Sequence, residues 1–178
     1  MVNVLFAEGF EEIEALTVVD LLRRADIEVN IVSADNKDYI SGGHGITVKA
    51  DVKLSDALNC DMVVLPGGIP GVPNLLNNPN VVTYLKSHYD DEKYIAAICA
   101  APSILGELSM LSGKKATCYP SFSDKLNGGC YTDDNVTIDG KFITSKAMGT
   151  AIDFALKIIE TLKDEITADK VASSIYYR

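Results

Sequence analysis

The segment AICAAP, at residues 97–102, places one thiol among small side chains and directly before a proline. An apolar run precedes Cys99, and Pro102 suits the first turn of a helix. This order predicts a strand-to-helix turn with Cys99 at its apex, as in a nucleophile elbow. The N-terminus of the helix would then lower the pKa of the thiol and make it a thiolate nucleophile. The alternative is a small buried cysteine with a structural role.

A Pro-Gly-Gly turn ends a second apolar run, DMVVLPGG at residues 61–68. Paired glycines after a strand often serve only a tight turn with positive φ. Beside an elbow cysteine they have a second use, because the N–H groups of Gly68 and Ala100 would point into the same small volume. That arrangement is an oxyanion hole, which stabilises negative charge on a substrate oxygen.

Three acids open the first helix: Glu11, Glu12 and Glu14. Acidic residues at a helix N-terminus are ordinarily favourable partners of the helix dipole. One of them could instead turn inward over the end of the sheet and act as general acid and base, with a pKa raised by burial. The spacing alone does not choose among the three.

The chain has only two histidines. His88 lies in the polar stretch KSHYDDEK, which predicts a solvent-facing helix end. His44 lies in the Gly-rich loop SGGHG and could reach a site, in its own chain or across an interface. A cysteine hydrolase needs an imidazole, so that hypothesis depends on His44.

The four cysteines are scattered, with no C-x-x-C pair and no cluster of histidines, so we expect no metal site and no redox dithiol. They are Cys60, Cys99, Cys118 and Cys130. Cysteine usage of this kind is typical of a reduced, cytoplasmic protein.

Apolar strands alternate with helical patterns along the chain. We predict strands in VNVLF, EVNIVSA, ITVKAD, DMVV, IAAIC, ATCY, NVTID and KFITS. We predict helices in EEIEALTVVDLLRRA, in two short stretches within residues 72–88, and in PSILGELSML, AIDFALKIIETLK and ADKVASSIYY. This alternation indicates an α/β fold with a mostly parallel sheet covered on both faces. Ligands of such folds bind outside the carboxyl ends of the strands, where the acids, the PGG turn and Cys99 all occur.

Length and charge exclude further classes of function. A chain of 178 residues with 47% hydrophobic residues is long enough for one packed domain, which we place at residues 1–178. A net charge of −9 argues against binding to nucleic acid or to anionic membranes. We expect no signal peptide and no membrane span. Chemistry on a small molecule is the favoured class.

Together, the motifs resemble the ThiJ/PfpI superfamily, and within it the branch of the parkinsonism-associated protein deglycase (DJ-one). The resemblance rests on AEGFEEIEALTVVDLLRRADIEV, DMVVLPGGIPG, AAICAAP, DKLNGG and ITSKAMGTAIDFAL, and covers nearly the whole chain. It implies a flavodoxin-like three-layer α/β/α sandwich, similar to class I glutamine amidotransferases, and a homodimer.

The resemblance also implies roles for individual residues. Cys99 would be the nucleophile, Glu14 the inward acid that is hydrogen-bonded in its protonated form to the thiolate, and Gly68 and Ala100 the oxyanion donors. Such relatives convert methylglyoxal and glyoxal to hydroxy acids without a cofactor, are reported to deglycate early glycated amines, and sense oxidative stress through the cysteine.

The sequence departs from the family pattern at several positions. His44 stands in the loop that often presents an arginine, Tyr119 precedes Pro120 where some relatives have a histidine, and Ala147–Met148 replaces a Gly-Pro. His44, Tyr119 and Arg24 are therefore candidates for supporting the site, from the same chain or from a partner's loop.

Two classes of function use the same residues. The favoured hypothesis is a cofactor-free glyoxalase (a lactate-forming hydro-lyase) or protein deglycase, acting on reactive carbonyls or glycated amines. The alternative is an oxidative-stress sensor or redox-regulated chaperone, whose cysteine reports peroxide. A cysteine peptidase or amidase is less favoured, because the related proteases have a histidine directly after the cysteine, where this chain has Ala100.

Overall fold

A seven-stranded sheet organises the computed structural model, which describes residues 1–177. The strands of the described chain are β1 (Val2–Phe6), β2 (Val29–Ser33), β3 (Tyr39–Ser41), β4 (Thr47–Lys49), β5 (Val52–Lys53), β6 (Met62–Leu65), β7 (Tyr94–Ile98), β8 (Lys115–Ala116), β9 (Cys130–Tyr131), β10 (Val136–Asp139) and β11 (Phe142–Ser145). The main sheet has the order β10-β11-β7-β6-β1-β2-β5. All its neighbours pair in parallel except β10 with β11.

Helices cover both faces of this sheet. They are α1 (Glu12–Arg24), α2 (Gly71–Leu76), α3 (Pro79–Asp90), α4 (Pro102–Glu107), α5 (Ala151–Leu162) and α6 (Glu165–Ser174). Helices α1, α5 and α6 share one hydrophobic cluster with the sheet, and α2, α3 and α4 share the other. The predicted three-layer α/β/α sandwich with a mostly parallel sheet is confirmed.

Strand β1 (VNVLF), in which Asn3 is the one polar residue, shows why the central strands are mainly apolar. Val4 and Phe6 pack in the cluster of α1 and α5, whereas Leu5 packs in the opposite cluster. A parallel strand with helices on both sides buries both sets of side chains, so its sequence does not alternate with polar residues.

The predicted strand in ITVKAD does not join the main sheet. Its core, β4, pairs antiparallel with β3 to form a separate hairpin. This hairpin docks on the segment that follows β1, since the Gly9 N–H donates to the Ser41 carbonyl over 2.8 Å and the Gly43 N–H donates to the Phe10 carbonyl over 2.8 Å. The hairpin turn, which carries His44, is thereby held at the carboxyl end of β1.

The prediction that His88 faces solvent is wrong. Its side chain is buried, stacks on Tyr84, and places Nε2 3.6 Å from the Cys60 sulfur. Val81, Leu85 and His88 follow the helical period and form the inner face of α3. The sequence prediction missed this helical period because the residues next to His88 are polar.

Helix boundaries differ from the predicted ones at two places. Helix α4 ends at Glu107, earlier than PSILGELSML suggested. Helix α6 begins at Glu165, before ADKVASSIYY, because the Asp164 side chain caps it by accepting a 2.7 Å hydrogen bond from the Thr167 N–H. The remaining residue of the predicted domain, at position 178, lies outside the described residues.

The apolar content of TVVDLLRRA is used within this chain. Val18, Val19, Leu21 and Leu22 of α1 are all buried in the core. Their apolar character therefore needs no partner subunit to explain it, and Ile13 is the large apolar residue that α1 leaves exposed. Along residues 1–177, no helix combines the length and apolar character that crossing a bilayer requires.

We expect Gly106→Ala to destabilise the fold. A methyl group at Gly106, inside α4, would overlap the Lys125 carbonyl oxygen and lie 2.8 Å from Leu126 backbone atoms. Backbone cannot move aside cheaply, so overpacking should cost roughly 1–3 kcal/mol in the free energy of unfolding by urea. Gly149→Ala is the matched control, because its methyl group meets nothing within 4 Å. Equal unfolding midpoints for the two variants would contradict this packing.

Candidate active site

Cys99 lies at the strand-to-helix turn that the sequence predicted. It follows β7 directly and adopts a left-handed backbone, with φ of 64°. Two hydrogen bonds hold this conformation: the Cys99 N–H donates to the Ser145 carbonyl over 2.9 Å, and the Cys99 carbonyl accepts from the Tyr119 N–H over 2.8 Å. Such strain costs on the order of 1–3 kcal/mol and persists only where the surroundings impose it.

Glu14 is the acid that turns toward the cysteine. Its side chain is buried on the inner face of α1, accepts a 2.9 Å hydrogen bond at Oε2 from the Gly67 N–H, and is hydrogen-bonded to Cys99. A methyl group at Gly67 would lie 2.5 Å from Glu14 Oε2 and 2.7 Å from Cys99 Cβ. Only glycine allows the acid and the thiol to meet here. Sequence reasoning missed Gly67, although the PGG turn contained the signal.

The neighbouring acid Glu12 has a different partner. Its Oε1 accepts from the His44 N–H over 2.6 Å, and its Oε2 lies 2.9 Å from His44 Nδ1. Desolvation acts against the charged form, but the hydrogen bonds from His44 outweigh it and the pKa of Glu12 is lowered. The bond to Glu12 and the charge of Glu11 raise the pKa of the exposed His44 ring. Glu12 is thus the anchor of the hairpin turn.

Glu14 and Cys99 titrate as a pair. Burial raises the pKa of Glu14 to about 7, against the hydrogen bonds from Cys99 and Gly67. Burial, then the charge of Glu14, raises the pKa of Cys99 to about 12, against the Ala100 N–H. Because the groups are in contact, these values describe successive proton losses from one pair. At pH values between these two pKa values, the pair holds one proton and one negative charge.

This result corrects the expectation that the helix N-terminus lowers the pKa of Cys99. Helix α4 has only six residues and begins three positions after the cysteine, whereas burial and an acid act on the sulfur directly. The thiol does not ionise on its own. It becomes a thiolate at no change in the net charge of the pair when its proton passes to Glu14.

A cavity of about 510 Å³ opens beside the pair. It is lined by six of the seven residues proposed from sequence, namely Cys99, Glu14, Gly68, Ala100, His44 and Tyr119, together with Glu11, Ile69, Phe122, Ala147, Met148 and Gly149. Gly68 has φ of 104°, and a methyl group there would lie 2.5 Å from both the Glu11 nitrogen and the Gly9 oxygen. The Pro-Gly-Gly turn after β6 therefore reaches the cavity only because it has glycine at position 68.

Arg24 does not belong to this cavity. It lies in the last turn of α1, about 15 Å along the helix axis from Glu14. Its Nε lies 2.7 Å from Asp20 Oδ2 in an exposed ion pair. A role for Arg24 in the site of its own chain is therefore wrong.

Glu11, Glu12 and His44 also form a potential set of metal ligands, with ligand atoms within 4.8 Å of one another. Both carboxylate oxygens of Glu12 already bind the hairpin turn. These contacts account for the cluster as a loop anchor, and we assign it no metal.

The other thiols lie in different surroundings. Cys60 and Cys118 are buried and Cys130 is exposed. Burial raises the pKa of Cys60, and it raises the pKa of Cys118 to about 11. Cys99 is the half-buried thiol, and it lines the cavity.

We expect Glu14→Gln to stabilise the protein above neutral pH. The folded-state pKa of Glu14, about 7, exceeds its ordinary value of 4.5. A buried acid of this kind stabilises the fold below pH 4.5, and that contribution is lost as the pH rises through 7. Glutamine avoids this loss and keeps both hydrogen-bonding functions.

We measure the free energy of unfolding by urea at pH 4.5 and at pH 8. The difference between Glu14→Gln and the wild type should shift by roughly 2–3 kcal/mol in favour of the variant from pH 4.5 to pH 8. The control is Glu28→Gln, at an exposed position, which should show no such gain. A wild type and a Glu14→Gln variant with parallel pH profiles would contradict the buried, proton-sharing acid.

Comparisons with known proteins agree with this architecture. A solved structure described as "Toxoplasma gondii DJ-1, oxidized" superposes with a TM-score of 0.94 at 36% identity, over 98% of this chain and 97% of that one. "Protein DJ-1 homolog A" of Arabidopsis thaliana is 39% identical over 177 residues, which are 97% of this chain and 45% of that protein. The chain thus spans less than half the length of this relative.

A further relative is "Glutathione-independent glyoxalase DJR-1.2" of Caenorhabditis elegans, 36% identical over 160 residues, 88% of this chain and 84% of that protein. The family model that matches, over residues 1–161, is that of the DJ-1/PfpI family. With a family match across nearly the whole chain, and a cysteine at the strand-to-helix turn, the chain belongs to the DJ-1/PfpI family.

Proposed function

We propose that the protein is a cofactor-independent glyoxalase that converts methylglyoxal-like α-oxoaldehydes, or their early adducts with amines, through Cys99. The observation that carries this proposal is the contact between the Glu14 carboxyl and the Cys99 thiol at a cavity lined by Gly68 and Ala100. The thiol would serve as nucleophile and the carboxyl as proton carrier, beside two residues whose backbone N–H groups would stabilise an oxyanion. The name of the Caenorhabditis elegans relative supports this class of reaction.

The first step is addition. Glu14 takes the thiol proton as the Cys99 sulfur attacks the aldehyde carbon of methylglyoxal, which forms an S–C bond and moves the carbonyl π pair onto oxygen. The N–H groups of Gly68 and Ala100 stabilise this oxygen, which then takes up the proton from Glu14. The product is a hemithioacetal, and Glu14 is again a carboxylate.

The second step is a proton transfer between adjacent carbons. Glu14 removes the proton from the former aldehyde carbon to give an enediolate, and returns it to the neighbouring carbon, while the hydroxyl proton on the first oxygen passes to the oxygen of that neighbouring carbon. The result is a thioester of lactate on Cys99. Water then cleaves the S–C bond, which releases lactate and restores the thiol, so that methylglyoxal and water are the only reactants.

The decisive experiment follows lactate and free thiol after purified protein is mixed with methylglyoxal, with Cys99→Ala alongside. We expect many lactate molecules per thiol in the wild type and none above background in Cys99→Ala. Cys130→Ala removes an exposed thiol outside the cavity and should retain turnover. One thiol lost per protein without lactate would refute the enzyme.

Replacement of Glu14 should separate catalysis from thiol reactivity. Glutamine leaves an N–H donor for the sulfur and removes the charge that opposes its ionisation, so iodoacetamide should still alkylate Cys99. Proton transfer between carbons is lost, and turnover of methylglyoxal should fall by roughly 100- to 10,000-fold. Wild-type turnover in Glu14→Gln would mean that Glu11 or water carries the proton.

Redox sensing is the second candidate, because Cys99 is the half-buried thiol at a cavity while Cys60 and Cys118 are buried. We expect Cys99 to reach sulfinate first under mild peroxide, as followed by peptide mass spectrometry. The exposed Cys130 is the internal competitor. Sulfinate at Cys130 before Cys99 would show that exposure, and not the pair with Glu14, controls reactivity.

A cysteine hydrolase is disfavoured by the state of His44. The ring binds Glu12 through Nδ1, and its raised pKa favours the imidazolium, which cannot act as a base.

We further propose that the protein forms a two-fold dimer, as its resemblance to the family implies. The exposed Ile13 on α1 supports an interface there. Light scattering at micromolar concentration should give twice the 19.2 kDa mass of the chain. The His44 contact is made within one chain, so the site does not depend on this outcome.

A further inference from the structure

The cavity is larger than the proposed chemistry needs. Its volume of about 510 Å³ falls in the range of roughly 300–1,000 Å³ typical of sites for drug-sized ligands. Methylglyoxal carries only a methyl group beyond its two carbonyls. Once it is bound to the Cys99 sulfur, most of the cavity stays unfilled.

The space beyond the sulfur is bordered by large apolar side chains. Ile69, Tyr119 and Met148 are 61%, 46% and 48% exposed, and the partly buried Phe122 lies with them in the cavity wall. Exposed apolar residues scattered singly need no explanation, but several that converge on one cavity mark a binding surface. We name Ile69, Tyr119, Phe122 and Met148 the apolar rim.

Backbone contacts fix this rim relative to the sulfur. The Tyr119 N–H donates to the carbonyl of Cys99 itself, and the Phe122 N–H donates to the Tyr119 carbonyl, both over 2.8 Å. Ile69 follows Gly68 directly in the chain. The rim is therefore preformed beside the reacting atoms.

Met148 is fixed by a second set of contacts. It begins a short turn in which the Thr150 N–H donates to the Ala147 carbonyl over 2.8 Å. The Thr150 hydroxyl lies 2.7 Å from the Ser145 hydroxyl, and Ser145 also accepts from the Cys99 N–H. The turn that carries Met148 is thus tied to the same strand end as the nucleophile.

We propose that the apolar rim is a subsite for the substrate's side chain, and that the preferred substrates are α-oxoaldehydes with a neutral aryl or branched alkyl group. This inference rests on the proposed function and specifies its substrate class. A large neutral group covers Ile69 and Met148 and removes them from water, which a methyl group is too small to do. An acidic group is disfavoured because Glu11 and Glu14 line the same cavity and His44 is already paired with Glu12.

The first test compares phenylglyoxal with methylglyoxal in wild type, Ile69→Ser and Met148→Ser. Each variant should lower the ratio of the two kcat/KM values by about tenfold or more, in the range found when apolar groups lose a matching pocket. Using the ratio within one enzyme series removes the difference in intrinsic reactivity of the aldehydes. The control is Ile138→Ser, an exposed isoleucine on β10 that should leave the ratio unchanged.

The second test measures binding without turnover. Calorimetry on Cys99→Ala should give a lower Kd for mandelamide than for lactamide, the neutral amides of the corresponding products. Adding Ile69→Ser or Met148→Ser should bring the two Kd values together.

The outcomes separate the two proposals. Turnover of methylglyoxal with an unchanged ratio in both rim variants overturns the subsite and leaves the proposed function standing. A mandelamide preference that depends on the rim, without turnover of either aldehyde, supports the subsite and overturns the proposed reaction. Equal Kd values for the two amides overturn the subsite in either case.

Discussion

The structure depends on a contact that is unfavourable in isolation, between the buried Glu14 carboxyl and the half-buried Cys99 thiol, which share one proton. Burial raises the pKa of Glu14 to about 7, and burial beside this acid raises that of Cys99 to about 12. Gly67 is what makes the contact sterically feasible. The sheet fixes β7 and the turn after β6 and so prevents the two groups from separating, which keeps one proton shared between the sulfur and the carboxylate.

The acids at the start of α1 show how neighbouring residues of one type acquire different roles. Glu14 faces the sheet end and meets the thiol, whereas Glu12 holds the hairpin turn through both of its oxygens. The turn brings His44 to the cavity, and α1 therefore positions two sides of the site at once. A change at Glu12 would act on the site through the hairpin, without touching the reacting atoms.

Sequence patterns predicted the layers, the central strands and the elbow because these follow local rules: apolar runs, helical periods, and small residues before a proline. They failed where long-range packing determines which residues are buried and which strands pair. His88 is buried although its neighbours are polar, and ITVKAD forms a hairpin outside the sheet. The choice of Glu14 among three acids came from family resemblance, since the spacing alone left it open. The raised pKa of Cys99 arises from burial and then from the charge of Glu14, 85 positions away in the chain, and no local pattern shows either cause.

Two unfavourable features of the site, one steric and one electrostatic, are held in place by the same sheet. Cys99 has a left-handed backbone without being glycine, and Glu14 is an acid removed from water. Each costs stability, and each is fixed by a hydrogen bond at a different strand end. Cys99 binds Ser145, the last residue of β11, and Glu14 binds Gly67, which follows β6. Because three adjacent strand ends define the geometry, loosening any one of them would let the thiol or the acid relax into solvent. The stability of the sheet is therefore what keeps the carboxyl and the thiol in contact, and the apolar rim depends on the same strand ends.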